Sequence, residues 1–130
     1  MMNRRFLITG AIFGILAVIL GAFAAHGLKE NLSPESLSSF ETGVRFQMYH
    51  AFLMLILGGL DFPGRIRTNW LFYLLLLGVI LFSGSIYFLA TKELSGIDFS
   101  SIALVTPLGG SLLIISWTIL LLNFIKLKKK

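Results

Sequence analysis

The chain has no cysteine. Disulfides, thiolate nucleophiles and cysteine-ligated zinc or iron–sulfur centres are therefore excluded. Charge is scarce as well. Eleven Lys and Arg and six Asp and Glu make up 13% of the 130 residues, about half the share that soluble domains carry. Proline occurs three times and histidine twice. Hydrophobic residues, by contrast, reach 56%, and the mean hydropathy is +0.88. Too few polar groups are available to cover a soluble domain of this size, which excludes an ordinary soluble enzyme, a disordered chain and a nucleic-acid-binding domain. An integral membrane protein remains. In so apolar a chain the net charge of +5 reports orientation in a bilayer rather than affinity for nucleic acid.

Uncharged runs cover residues 6–25, 46–60, 68–91 and 99–125. A helix of twenty residues is ~30 Å long, one bilayer core. The pattern predicts an all-α membrane protein, a four-transmembrane-helix bundle forming a single domain over residues 1–130. Arg4 and Arg5 followed by an apolar run and Ala22-Phe23-Ala24 resemble a signal peptide. The run exceeds a usual signal core and carries packing glycines, so it reads as a retained span. Lys and Arg in short loops set orientation. Arg4, Arg5, Arg65, Arg67, Lys126, Lys128, Lys129 and Lys130 fall on the side of both termini, and Lys29, Arg45 and Lys92 on the other. Both termini are therefore expected in the cytoplasm.

The second span is short, and the connection before it explains why. Ser33-Pro34-Glu35 is a helix start: a hydroxyl to accept from early N–H groups, a proline for the first turn and a carboxylate at the positive dipole end. Leu37, Phe40, Val44 and Met48 then recur at helical spacing. The spacing predicts one helix over residues 34–60, whose amphipathic start, 34–45, extends beyond the outer membrane surface. That helix has two polar stripes. Glu41, Arg45 and Tyr49 share one face, with Glu41 and Arg45 spaced as an ion pair. Gly43, Gln47, His50 and Met54 share the other.

Small residues mark helix contacts. Gly10, Gly14 and Gly21 in the first span, Gly84 in the third and Gly109 and Gly110 in the fourth let backbones approach closely. Pro107, beside Thr106, predicts a kink or break over residues 107–110 of the fourth span. Ser83, Ser85 and Tyr87 add hydroxyls to the third. Counted at 1.5 Å per residue from each outer end, His26 sits at the rim, His50 at ~6 Å, Ser85 at 8–9 Å and Pro107 at about 12 Å. Polar and irregular positions on four helices are thus expected in the outer third.

Three functions compete. A membrane binding or transport module for a small solute, ion or lipid would use that layer, with His26, Glu41, Arg45, Gln47, His50, Ser83, Ser85, Tyr87 and Thr106 as ligand-binding residues. A structural or assembly factor packing against larger membrane complexes would use the same glycines. An enzyme or cofactor protein has the least support, because two histidines are a weak haem signal and helical serines bond their own carbonyls. The reading is the binding or transport module, with the assembly factor as the alternative. It names no catalytic residue, metal or cofactor. Its partners are the lipid bilayer and further copies of the chain, with no nucleic acid.

The segment Gly21-Ala22-Phe23-Ala24-Ala25-His26-Gly27-Leu28 resembles the GAFGAHGL signature of the domain of unknown function 423 family, with which transmembrane protein 256 is grouped. Ala24 stands where that family usually has glycine. Phe40-Glu41-Thr42-Gly43-Val44-Arg45-Phe46-Gln47-Met48-Tyr49-His50-Ala51 resembles the second signature. Phe82-Ser83-Gly84-Ser85-Ile86-Tyr87 and Thr106-Pro107-Leu108-Gly109-Gly110 resemble the third and fourth. The resemblance spans nearly the whole chain in order. It implies a multi-pass, four-helix protein of the bacterial inner membrane, with mitochondrial relatives. It implies no established activity and supplies no catalytic residues.

Overall fold

The computed structural model describes residues 2–64, 66–67, 69–97 and 100–127, with the backbone alone at Glu93 and Ser100. The expected span limits at Thr68 and Phe99, together with Arg65, Lys128, Lys129 and Lys130, fall outside the described residues. Helix α1 is Arg4–Phe23 and continues as a π-helical turn, Ala24–Leu28. Helix α2 is Pro34–Gly59, α3 is Asn69–Ala90, α4 is the single turn Lys92–Ser95, and α5 is Val105–Ile125, preceded by a 3-10 turn at Ser100–Ile102. No strand occurs among the described residues.

Local chemistry explains the helix ends. The Asn3 side chain accepts from the Phe6 N–H at 3.5 Å to start α1. Ser33 accepts from the Ser36 N–H at 3.2 Å to start α2, with Pro34 in first position. The Asn31 amide donates to the Gly27 carbonyl at 2.8 Å, satisfying an acceptor at the end of the π turn. Gly96, at φ +70°, ends α4 in the left-handed conformation that glycine adopts without a Cβ penalty.

The fourth span corrects the expectation. Helix α5 begins at Val105, and Pro107 is its third residue. An N–H at that position has no intrahelical acceptor, so proline costs nothing there. The helix then runs unbroken to Ile125. The anticipated kink or break at 107–110 is a helix start instead.

Helix α1 packs along α2, α5 packs along α3, and α2 packs against α3. Consecutive long helices are antiparallel, which leaves α2 and α3 in the middle. The terminal end gathers the Asn3 N–H bonded to the Gly58 carbonyl at 2.8 Å, Arg5 bonded to Asn69, and the Phe62 and Phe124 rings 5.9 Å apart. The opposite, distal end is closed by Ala24, Leu28, Leu32, Phe40 and Ala90. Between them runs the main core, with Phe6, Met54, Leu57, Leu71, Leu75 and Leu120 almost fully buried. Three helical stretches, Arg4–Leu28, Asn69–Ala90 and Val105–Ile125, are long and apolar enough to cross a membrane. Helix α2, at 26 residues, is long enough, but Arg45, Gln47 and His50 interrupt its apolar character.

Lipid is as apolar as leucine, so close packing rather than water exclusion drives helices together in a bilayer. The tightest approach is at Gly109, where a Cβ would lie 2.3 Å from the backbone nitrogen of Phe82. At Gly10 it would lie 2.9 Å from the Ala51 carbonyl oxygen. Gly21 and Gly110 make looser contacts, 3.5 Å from Val44 and 3.4 Å from the Phe82 ring. Gly14 and Gly84 depart from the expectation: a Cβ at either meets nothing within 4 Å. The buried row of α1 is Phe6, Gly10, Phe13 and Ala17, and Gly14 lies one step off it. Gly84 sits between Ser83, which faces α2, and Ser85, which faces α5, and so points away from both. Gly43, Gly58 and Gly78 are close contacts that the small-residue pattern did not single out.

Gly109→Leu is expected to destabilise the protein by about 1–3 kcal/mol or more, because backbone rather than a movable side chain fills the space. Gly14→Ala is expected to leave stability unchanged within about 0.5 kcal/mol. Thermal unfolding followed by circular dichroism in mild detergent measures both, and equal midpoints for Gly109→Leu and the parent would refute the close crossing.

Candidate functional site

The polar groups of the interior are joined to one another. Gln47, buried on α2, donates through Nε2 to the Phe13 carbonyl of α1 at 2.9 Å and accepts through Oε1 from the Tyr87 hydroxyl of α3 at 2.6 Å. Ser83, one turn before Tyr87, donates to the Gly43 carbonyl of α2 at 2.7 Å. On the other side of α3, Ser85 donates to the Phe82 carbonyl at 3.0 Å and meets the Thr106 hydroxyl at the start of α5. Among the described residues, every buried side-chain nitrogen and oxygen has a partner. That accounting is strict in a bilayer, where no water replaces a missing bond.

His50 completes the set. Its Nδ1 lies 2.7 Å from the Phe46 carbonyl, and its Nε2 lies 3.1 Å from the Trp117 indole nitrogen. A carbonyl only accepts, so Nδ1 carries the proton. An indole N–H only donates, so Nε2 is bare. Both contacts are thus made by neutral imidazole in a single tautomer, which ties α2 to α5.

Two recesses open along this α2–α5 side. The first lies at the distal end, has a volume of about 470 Å³ and is lined by Glu35, Ser36 and Ser39 of α2, Ile86 and Leu89 of α3, Lys92 of α4, and Thr106 and Pro107 of α5. The second has a volume of about 220 Å³ and is lined by Phe46 and His50 of α2, Phe82 of α3, and Gly110, Ile114 and Trp117 of α5. Positions 36, 39, 46 and 50 of α2, 82, 86 and 89 of α3, and 107, 110, 114 and 117 of α5 recur at helical steps, so each set forms one stripe. The two recesses share no lining residue and lie in line along one α2–α5 furrow. Pro107 to Ile114 is seven residues, or ~10 Å along the axis. The mouth is polar and charged, and the deeper stretch is aromatic.

The sequence-predicted residues divide into groups. Gln47, Ser83 and Tyr87 come together, as do Ser85 and Thr106, while His50 reaches α5. Glu41 and Arg45 do not join them. They form an exposed pair 4.0 Å apart on the opposite face of α2, beside a separate recess near Gly21 and Ala25. His26 projects outward from the π turn and is exposed. It does not share a level with His50. Gln47 bonds Phe13, thirteen residues before His26, and His50 lies three residues further toward the terminal end, so the two histidines are separated by ~24 Å along the bundle. Depth counted from residue 46 put His50 near the rim. The helix starts at Pro34, and its first turns pack beside the distal turns of α1, so His50 lies mid-bundle. Two histidines so placed do not form an axial pair for haem.

Glu35, Ser36, Ser39, Lys92, Phe46, Phe82 and Trp117 are furrow residues that the sequence did not single out as a site. Trp117 carried a signal: an indole N–H within a span needs an acceptor, and His50 is one of few available.

Gln47→Ala strands the Tyr87 hydroxyl and removes the second bond to the Phe13 carbonyl, and is expected to cost about 1–2 kcal/mol. Gln47→Leu combined with Tyr87→Phe is expected to cost less than the sum of the single changes, because no hydroxyl is left unpaired. A double-mutant cycle by denaturant unfolding in micelles checks this, and strict additivity would contradict the bond.

Comparison with known proteins places the chain. The family model described as "Protein of unknown function (DUF423)" matches residues 20–110. A UPF0382 membrane protein of Staphylococcus epidermidis is 39% identical over 123 residues, covering 95% of this chain and 97% of the relative. The UPF0382 membrane protein YwdK of Bacillus subtilis is 38% identical over 128 residues, covering 95% and 98%. A UPF0382 membrane protein of Haemophilus influenzae is 40% identical over 121 residues, covering 89% and 90%. No solved structure matches. The chain is an integral membrane protein and belongs to the DUF423 family.

Proposed function

We propose that this protein is a small binding module of the bacterial plasma membrane that holds one lipid-like amphiphile in the α2–α5 furrow. The observation that carries this reading is the alignment of a polar mouth with an aromatic recess on the same side of three helices. An amphiphile has the same two-part chemistry. Its polar end fits Glu35, Lys92 and the hydroxyl residues, and its apolar part fits Phe46, Phe82, Ile114 and Trp117. The interior supports holding rather than conduction. A water-filled path needs polar atoms facing a lumen, whereas Gln47, His50, Ser83 and Tyr87 spend theirs on neighbouring helices.

In this reading α2 is a fourth span, its polar groups shielded by α1, α3 and α5. The termini face the cytoplasm, with Arg4, Arg5, Arg67 and Lys126 at that end. Trp70, exposed on the first turn of α3, sits there as an interfacial anchor. The furrow mouth then faces outward.

A second feature favours the assembly-factor reading. An apolar recess of about 550 Å³ runs between α1 and α2, lined by Gly14, Val18, Met48 and Phe52 among others. It would seat an apolar helix of another membrane protein or of a second copy.

Native mass spectrometry of gently extracted protein separates these readings. Retained lipid on the parent, reduced at least tenfold in Gly110→Phe with helical content unchanged, is the expected result. A stoichiometric foreign subunit with no retained lipid would overturn it in favour of assembly. Topology is testable because the chain lacks cysteine. Ser39→Cys is expected to react with a membrane-impermeant maleimide in intact cells and Gly64→Cys to remain unlabelled until lysis. The reverse pattern would invert the orientation.

A further inference from the structure

The furrow mouth carries charges of both signs. Glu35 stands in the first turn of α2 and Lys92 begins α4, and both line the same recess of about 470 Å³. Both are exposed. They do not pair with each other, and neither has an ion-pair partner among the described residues. Ser36, Ser39 and Thr106 line the same recess. A headgroup with negative charge alone meets Lys92 favourably and Glu35 unfavourably. A headgroup without charge leaves both ions without a counter-charge. A headgroup with one anionic and one cationic group a few bonds apart complements both, and the Ser39 hydroxyl suits an oxygen atom of the anion.

Building on the amphiphile reading, we propose that the furrow selects a zwitterionic headgroup, its phosphate beside Lys92 and its ammonium beside Glu35. The aminoalkyl phosphodiester of an ethanolamine phospholipid has this chemistry, with its acyl chain directed down the furrow toward Phe46 and Trp117. Charges at a solvated rim discriminate modestly, so the expected preference over a purely anionic headgroup is about three- to tenfold.

The test is competition by native mass spectrometry on the full chain. Equimolar phosphatidylethanolamine, phosphatidylcholine and phosphatidylglycerol are offered to the parent protein, to Glu35→Gln, to Lys92→Gln and to the furrow-filling Gly110→Phe. The parent is expected to retain the two zwitterionic lipids about three- to tenfold over phosphatidylglycerol. Glu35→Gln is expected to abolish that preference by raising phosphatidylglycerol. Lys92→Gln is expected to lower all three. Soluble phosphoethanolamine at matched concentration is expected not to displace bound lipid, and displacement would assign the site to a soluble zwitterion instead. Lipid retained without headgroup preference, or a preference that survives Glu35→Gln, overturns the zwitterion proposal and leaves the furrow standing. Absence of retained lipid, or retention indifferent to Gly110→Phe, overturns the furrow itself.

Discussion

A buried amide must use both of its ends, and Gln47 uses them on two different helices. Its nitrogen reaches the Phe13 carbonyl of α1 and its oxygen takes the Tyr87 hydroxyl of α3. That one side chain fixes the rotation of α2. A turn of α2 by one residue, about 100°, would break both bonds and leave the amide without these partners. With the rotation fixed, Gly43 meets the ring of Tyr87, Met54 enters the core, His50 faces α5, and Glu41, Arg45 and Tyr49 face outward. The position of α1 follows too, because Gly10 and Gly58 bring its backbone against α2 in the register that Gln47 sets.

Helix α5 is placed by different means. Its backbone meets α3 at Gly109, Leu113 lies against Gly78, and Ser85 meets Thr106. With α2 it shares mainly the bond from Trp117 to His50. Tight packing on α3 and spaced packing on α2 leave a furrow between two parallel helices. A larger residue than glycine at position 109 would shift α5 off α3 and change the width of that furrow. The scaffold contact and the candidate site are therefore coupled through one backbone crossing.

Much of this was legible in the sequence. The Ser33-Pro34-Glu35 start, the long α2 and its two polar faces were read from spacing, and the structure buries Gly43, Gln47, His50 and Met54 while exposing Glu41, Arg45 and Tyr49. The crossing at Gly109 followed from small-residue patterning. Other features were not written there. Nothing in a phenylalanine announces that its carbonyl accepts from Gln47. Gly10 and Gly14 are equivalent as letters, and only the phase of α1 on α2 separates a contact from open surface. Pro107 reads as a kink when the uncharged run 99–125 is taken as one helix. Leu104, which precedes α5, supplies no capping side chain to mark the true start. Depth counted from residue 46 places His50 near the rim, because the last charge before the apolar run, Arg45, does not mark the edge of the bundle.

The scarce polarity of the chain thus falls into two kinds. Inside, it is consumed: an amide, an imidazole, an indole and several hydroxyls each have a partner on a helix, and their work is to set rotation and register. At the distal mouth of the furrow, Glu35 and Lys92 line one recess without pairing with each other. Groups spent on scaffolding are poor ligands, because recruiting them costs a bond that water cannot replace. Glu35 and Lys92 carry no such cost. The mouth is also held in shape, since the Ser85–Thr106 contact ties the start of α5 to α3 and the Ser33 cap orders the first turn of α2. A recess fixed before its ligand arrives loses little freedom on binding, so even modest rim charges can express a preference. The interior bonds and the distal chemistry are in this sense one design, the first supplying the rigidity that the second requires.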